Sequence, residues 1–259
     1  MTRFFASPEN IYDDMVMLSV DDIEHIKVLR IRPGELFTIC DGSGTDHICR
    51  FVGLQVEEGT LFRKGKQNQN DVRVPVSVEV IESRPSSTEP SVDCHMFIAH
   101  AKGDRLDYAV AKSVELGAFE IVIFPSERCI STPANIEKRI ARLQKIALET
   151  AMQCDRGRVP SVSYALSFED AIEQASCFDL SLFLYELEGS LHLRDALERR
   201  RDAMSFSVVT GPEGGFEPHE VAFAQSAGLL SVSVGPRILR CETAPVAALA
   251  AIMFQTGNL

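Results

Sequence analysis

No stretch of this sequence is long and apolar enough to span a bilayer; the most apolar late run, Ala244 to Phe254, stops well short. The opening MTRFFASPENIYDDM has no apolar core of signal-peptide length and soon turns acidic, so a cytoplasmic protein is expected. Paired cysteines are missing too. The seven present (Cys40, Cys49, Cys94, Cys129, Cys154, Cys177 and Cys241) are scattered, odd in number and contain no C-x-x-C. Neither a disulfide framework nor a zinc site is indicated, and most are expected to be small buried hydrophobes. Positive charge is in short supply. A net charge of −11 argues against a general nucleic-acid coat, because neutralising phosphates takes clustered Lys and Arg, but it leaves room for a local basic patch.

Familiar catalytic motifs are absent as well. No G-x-G-x-x-G follows a strand, which counts against a Rossmann dinucleotide site or an ordinary open-sheet methyltransferase. Gly211-Pro212-Glu213-Gly214-Gly215 lacks the Lys-Ser/Thr of a P-loop. His219-Glu220 begins like a metalloprotease helix, but Phe223 stands where the second His belongs, and no G-x-S-x-G elbow occurs. Repeats and low-complexity tracts do not stand out.

What is present fits a soluble α/β protein. At 259 residues, one large or two small domains are expected, and 45% hydrophobic with 24% charged residues suffices for a sizeable core. Ser19 to Arg30 predicts a helix with Ser19 as N-cap, acidic residues in the first turn and Ile23, Ile26 and Leu29 at helical spacing, stopped by Pro33-Gly34. Short β-like runs follow at Glu35 to Cys40, His47 to Val56, Thr60 to Arg63 and Val74 to Ile81. The turn Asp41 to Gly44 and the polar tract Lys64 to Asp71 separate them, a pattern for a small barrel or sandwich. Residues 82–93, rich in Pro, Ser and Glu, read as a linker between a domain over 1–81 and another over 94–259.

Beyond the linker the period changes. Strand-like Cys94 to His100, Phe119 to Phe124 and Leu180 to Tyr185 alternate with helix-like Asp104 to Leu116, Pro133 to Met152, Phe168 to Ala175 and Leu191 to Arg200, which predicts βα units of a parallel sheet. Two more apolar runs, Val208 to Thr210 and Leu230 to Val234, each enter a Gly-Pro turn that opens toward a helical pattern. Loops that follow strands of one sheet gather at one edge, where α/β folds bind ligands. Gly211, Gly214 and Gly215 let backbone approach a small molecule closely.

The block GPEGGF followed by VGPRILRCETA resembles the RsmE family of SPOUT-class methyltransferases, which act on N3 of a uridine in 16S ribosomal RNA. AKGDRLDYAVAKSVELGAFEIVIFPSERC (Ala101 to Cys129) is similar to the family's central segment, and HIKVLRIRPGELFTICDGSG (His25 to Gly44) to its N-terminal domain. Cys241 stands where the family commonly has Thr. Ala151 to Arg156 replaces a segment that usually carries Glu before the Gln and a small residue before the Arg.

The resemblance implies a PUA-like β-barrel associated with RNA binding, then a SPOUT parallel sheet with a trefoil knot in which the last helix threads under the Gly-Pro loops. It implies a homodimer, S-adenosylmethionine as cofactor, no metal, and 16S rRNA, within the small ribosomal subunit, as partner. Leu184, Thr210, Gly211, Pro212, Gly214, Gly215, Val234, Gly235, Ile238, Leu239, Arg240, Thr243 and Ala244 are the cofactor-binding candidates. N3 of neutral uracil is a poor nucleophile, so a cation at the carbonyl oxygens or a base for the N3 proton is needed. Arg240 is the candidate cation. Glu213 or Glu242 is the candidate base, with helix capping or an ion pair to Arg240 as the alternative for either. Arg3, Arg30, Arg32, Lys102, Arg105 and Lys112 are the candidates for RNA contact, which predicts that Arg105→Ala weakens RNA use and leaves cofactor affinity intact. Two other readings stay open: the same chemistry on tRNA or another RNA, and an idle RNA-binding or ribosome-assembly module.

Overall fold

The computed structural model describes residues 2–54, 73–130, 135–185, 187, 189 and 191–259. The expected strand Thr60 to Arg63 and polar tract Lys64 to Asp71 lie outside them. The chain divides into two compact units, residues 1–89 with 155–159, and residues 90–154 with 160–259.

The first unit is a curled five-stranded sheet. Its strands are β1 (Arg3–Phe5), β2 (Met15–Ser19), β3 (Leu36–Cys40), β4 (Thr45–Leu54) and β5 (Arg73–Pro85), in the order β1-β3-β4-β5-β2. Where the resemblance implies a PUA-like β-barrel, the curled sheet forms a PUA-like half-barrel. Phe4 packs edge-on against Phe37 with ring centroids 5.6 Å apart, in a core shared with Val16, Ile39, Phe51 and Val76. Helix α1 (Val20–Leu29) starts as expected, with a capping box in which Ser19 and Asp22 satisfy each other's backbone N–H. Ile23 and Ile26 are buried, but Leu29 is 45% exposed, because Arg30 turns left-handed at φ 55° and ends the helix ahead of Pro33-Gly34. The expected linker over 82–93 begins in a strand: β5 continues to Pro85, paired with Thr45 at the start of β4.

The second unit is a six-stranded sheet, parallel throughout: β6 (Asp93–Ala99), β7 (Glu120–Phe124), β8 (Ser161–Tyr164), β9 (Leu180–Leu184), β10 (Ser205–Thr210) and β11 (Leu230–Val232), in the order β11-β9-β10-β6-β7-β8. Its helices are α2 (Asp104–Glu115), α3 (Ile136–Gln153), α4 (Phe168–Ala175), α5 (Leu193–Arg199), α6 (Pro218–Ser226) and α7 (Ala244–Gln255). The central strands are covered on both faces and are therefore mostly apolar; every residue of Leu180–Leu184 is buried, Ser181 included. Alternation divides them between two cores. Phe97, Phe183 and Val209 meet Phe168, Phe216 and Ala224 on the α4 and α6 side. Met96, Leu182 and Val208, in register with one another, point to the opposite face. That face is covered by α7, which packs on β10, β6, α2 and α5. Hydrophobic burial on both sides fixes the sheet, and the sheet fixes where its loops emerge.

Candidate active site

Strands β9, β10 and β11 are neighbours running the same way, so the chain leaves all of them at one edge. Main chain after Leu184, after Thr210 and after Val232 therefore converges there. It encloses a cavity of about 430 Å³, within the ordinary range for a small-molecule site. Leu184, Tyr185, Gly211, Pro212, Gly215, Val232, Val234, Gly235, Ile238, Leu239 and Ala244 supply most of the wall, with Arg105, Glu213, Ser233, Arg237, Arg240, Cys241 and Glu242 as its charged or polar part.

The first Gly-Pro loop owes its shape to neighbours as much as to any ligand. Gly215 takes φ 70° and closes a turn by donating its N–H to the Pro212 carbonyl at 3.0 Å. A Cβ on Gly211 would lie 2.9 Å from the Phe216 ring, so the missing side chain is the space that lets this ring stack on Phe183. A Cβ on Gly214 would stand 2.9 Å from the Cβ of Arg128 and 3.1 Å from its carbonyl oxygen. Arg128 in turn holds the loop, donating to the Gly214 carbonyl at 3.1 Å and to Glu217 at 2.6 Å. The second loop is tied at both ends. Ser233 exchanges backbone hydrogen bonds with Leu191 and Leu193, and the Arg240 carbonyl accepts from Thr243 and Ala244 as α7 begins.

The charged wall is ordered around Arg105. Its Nη1 donates to Glu213 Oε1 at 2.8 Å, and its Nε lies 4.0 Å from Glu242 Oε2. The same Glu213 oxygen accepts the Lys102 backbone N–H at 3.1 Å. Burial acts to raise the Glu213 carboxyl, but hydrogen bonds from its own backbone, from Lys102 and from Arg105 outweigh it and leave the group below the usual carboxylate range. Arg240 is different: its side chain is 81% exposed and its guanidinium is 4.0 Å from Glu242. Cys241 donates its S–H to Glu242 Oε2 at 3.2 Å, and burial, that hydrogen bond and the nearby carboxylates push the thiol up to about 12.

A family model for the RNA methyltransferase domain matches residues 88–253. The chain is 28% identical over 248 residues to the ribosomal RNA small subunit methyltransferase E of Mesomycoplasma hyopneumoniae (strain 232), covering 95% of this chain and 96% of that protein. It is 29% identical over 246 residues to the protein of that name from Bacillus subtilis (strain 168), covering 92% and 90%. The crystal structure of a ribosomal RNA small subunit methyltransferase E from Neisseria gonorrhoeae bound to S-adenosyl methionine superposes with a TM-score of 0.78 at 31% identity, covering 98% of this chain and 97% of that one. The chain belongs to the ribosomal RNA small subunit methyltransferase E family.

Within that family frame, the residues expected at the site fall into two groups. Leu184, Gly211, Pro212, Gly215, Val234, Gly235, Ile238, Leu239, Arg240 and Ala244 line the cavity, as do Glu213 and Glu242. Thr210, Gly214 and Thr243 are not in its wall. Thr210 is fully buried with its hydroxyl on the Phe97 carbonyl, Gly214 makes room for Arg128, and Thr243 is an exposed residue leading into α7. The carboxylate pairing expected with Arg240 goes chiefly to Arg105 instead.

The RNA candidates divide as well. Arg3 is 11% exposed and bonded to Asp46 at 2.9 Å, so its charge is spent inside the first unit. Arg30 and Arg32 are exposed. Lys102 serves the site through its backbone N–H, while Lys112 is paired with Glu115 at 2.6 Å and lies over the Tyr108 ring. Tyr185, Val232, Ser233 and Cys241 were not anticipated in the wall, and Arg237 joins it from within the second Gly-Pro loop. Tyr185 and Val232 had a signal, since each sits at the end of a strand whose following loop was already implicated; Arg128 had none. The cysteines also differ from expectation: Cys40, Cys49 and Cys94 are buried, but Cys129, Cys154 and Cys241 are half-buried and Cys177 is exposed. Among the described residues no group of His, Cys, Asp or Glu is placed to hold a metal ion, and no helix is long and apolar enough to cross a membrane.

Proposed function

We propose that this chain transfers the methyl group of S-adenosylmethionine to N3 of a specific uridine in 16S rRNA of the small ribosomal subunit. The observation that carries the reading is the cavity at the sheet edge, walled by the two Gly-Pro loops that the family match covers. The residues present suit that cofactor. Leu184, Val232, Leu239 and Ala244 offer apolar surface, and the turns at Gly211 to Gly215 and Val234 to Leu239 offer backbone donors and acceptors at close range. Bound there, S-adenosylmethionine supplies an electrophilic sulfonium methyl.

The chain's own residues then have two tasks. They must hold the uracil with N3 in line, which supplies much of the acceleration, and they must help N3 give up its proton. Glu242 is the base in this reading. Glu213 is already committed to Arg105 and to the Lys102 N–H, which leaves it a weaker proton acceptor. The Watson-Crick edge of uracil is hidden in a helix, so the target is unpaired or flipped out when it reacts.

The same reading takes α7 as threaded beneath the two loops, and the protein as a cytoplasmic homodimer. In support of pairing, Val246, Ala247, Ala250 and Ala251 on α7 are only half-buried and Phe254 is 73% exposed, an apolar stripe open to a partner. Sedimentation at the mass of one chain would contradict it.

The test of function is transfer of labelled methyl to small ribosomal subunits lacking N3-methyluridine, with total tRNA alongside and nucleoside mass analysis of the product. Label as N3-methyluridine in 16S rRNA alone is expected, and Glu242→Gln should lower the rate by about 100-fold or more. Label in tRNA would move the substrate while keeping the chemistry. No label, with no cofactor bound, would leave an RNA-binding module.

A further inference from the structure

We infer that Arg105 is a catalytic residue that touches the acceptor base, and that Glu213 is the positioning residue that holds it there. The inference rests on the methyl-transfer reading above and assigns to Arg105 the role expected of Arg240.

Geometry separates the two cations. Arg105 stands in the cavity wall in the first turn of α2, its side chain 46% exposed, with one nitrogen fixed to Glu213 at 2.8 Å. Glu213 is itself fixed, 14% exposed and bonded to the Lys102 N–H at 3.1 Å. A guanidinium anchored on one side through a half-buried carboxylate presents its remaining N–H groups in a set direction, so little reorganisation is needed as charge develops. Arg240, at 81% exposed and 4.0 Å from its carboxylate, is neither anchored nor desolvated to that degree.

Charge decides what Arg105 is suited to meet. Two carboxylates stand at 2.8 and 4.0 Å from its guanidinium, so the charge of Arg105 itself is locally offset, while Arg237 and Arg240 are the other cations of the wall. A phosphate brought to that point would meet Glu213 and Glu242 at close range. A neutral carbonyl oxygen of uracil is still a good acceptor for the free guanidinium N–H groups, and becomes a better one as the base loses its proton. In that step the N3–H bond breaks with its proton passing to Glu242, and the electron pair left behind spreads over N3, O2 and O4, where Arg105 donates to one oxygen. N3 then forms its bond to the methyl carbon as the carbon–sulfur bond breaks, its pair staying on sulfur.

The experiment compares wild type, Arg105→Ala, Arg105→Lys, Glu213→Gln and Arg240→Ala on small ribosomal subunits. It measures kcat and KM and, separately by direct binding, affinity for S-adenosylmethionine and for the subunit. Arg105→Ala should lower kcat by about 100-fold or more while both affinities stay within about threefold. Arg105→Lys should recover little, because a single ammonium nitrogen does not reproduce the planar fork that reaches Glu213 and the base from separate nitrogens. Glu213→Gln should lower kcat about tenfold with the same affinities, and Arg240→Ala should lose less than Arg105→Ala. Added guanidinium ion should restore part of the Arg105→Ala rate. A rise in KM and loss of subunit affinity with kcat intact would make Arg105 a phosphate contact and overturn the inference. So would loss of cofactor binding in step with activity, the mark of a misplaced loop. A wild-type protein that binds the cofactor but leaves the subunits unlabelled would sink the underlying reading before any variant is compared.

Discussion

Cys241 lies in the cavity wall, in the second Gly-Pro loop, whose main chain is proposed to hold the cofactor. Its thiol, pushed up to about 12, stays protonated through the neutral range and acts as a hydrogen-bond donor to Glu242 at 3.2 Å. A hydroxyl can make the same bond. Cys241→Thr is therefore expected to keep kcat/KM within about threefold of the parent, a change too small to reflect loss of a hydrogen bond to a charged group. Cys241→Ala, which removes the donor, should fall below it, and steady-state kinetics on the two variants checks the order. Alkylation gives a second view of the same residue. Because the thiolate is the reactive form, iodoacetamide at mildly alkaline pH should modify exposed Cys177 well before Cys241, and mass spectrometry of the peptides reads the sequence of events. The carboxyl of Glu213 has the opposite sign. Held below its unfolded value, it adds stability above the ordinary carboxylate range, and that contribution is lost as pH falls through the folded value.

The element with the most surprising attachment is the segment after α3. Asp155 turns left-handed at φ 58°, and Arg156, 3% exposed, pairs with Glu89 through two nitrogens at 3.3 and 2.6 Å. Glu89 Oε1 also accepts the backbone N–H groups of Gly157 and Arg158 at 2.8 and 3.1 Å, so one carboxylate secures the whole turn to the first unit. Glu89→Ala would strand a buried guanidinium and two N–H groups; an unfolding free energy lower by about 3 kcal/mol is expected from urea denaturation. A change within a few tenths would mean that water replaces the carboxylate.

Nothing in the sequence marks this clamp, because its partners lie 67 residues apart. The same distance problem hid β1 and β8: each is three or four residues long and pairs with strands its own pattern cannot indicate. The α/β alternation of the second unit was legible because each strand is buried on both faces and each amphipathic helix repeats its apolar positions over several turns. At the site, the loops were legible from their glycines, but the reason for Gly214 was not. Its missing side chain accommodates Arg128, and only the fold brings that residue there.

For the molecule as a whole, net charge and partner stand in tension. A chain of −11 is repelled by RNA at long range, so attraction has to come from a few exposed cations acting within a Debye length. Arg30 and Arg32 fit that description better than Arg3: both are exposed, they follow directly on the end of α1, and Arg3 is consumed by Asp46. Replacing both with Gln removes two positive charges without asking a β-branched residue to take the left-handed conformation at position 30. Each phosphate contact contributes about 0.7 to 0.9 to the slope of log affinity against log salt, so the double variant should bind small ribosomal subunits with a slope shallower by roughly 1.5. Its KM should rise most at low salt, and its kcat and cofactor affinity should stay those of the parent, since neither residue lies in the wall of the cavity. An unchanged slope would assign the electrostatic footing to other cations and leave α1 without a part in binding RNA.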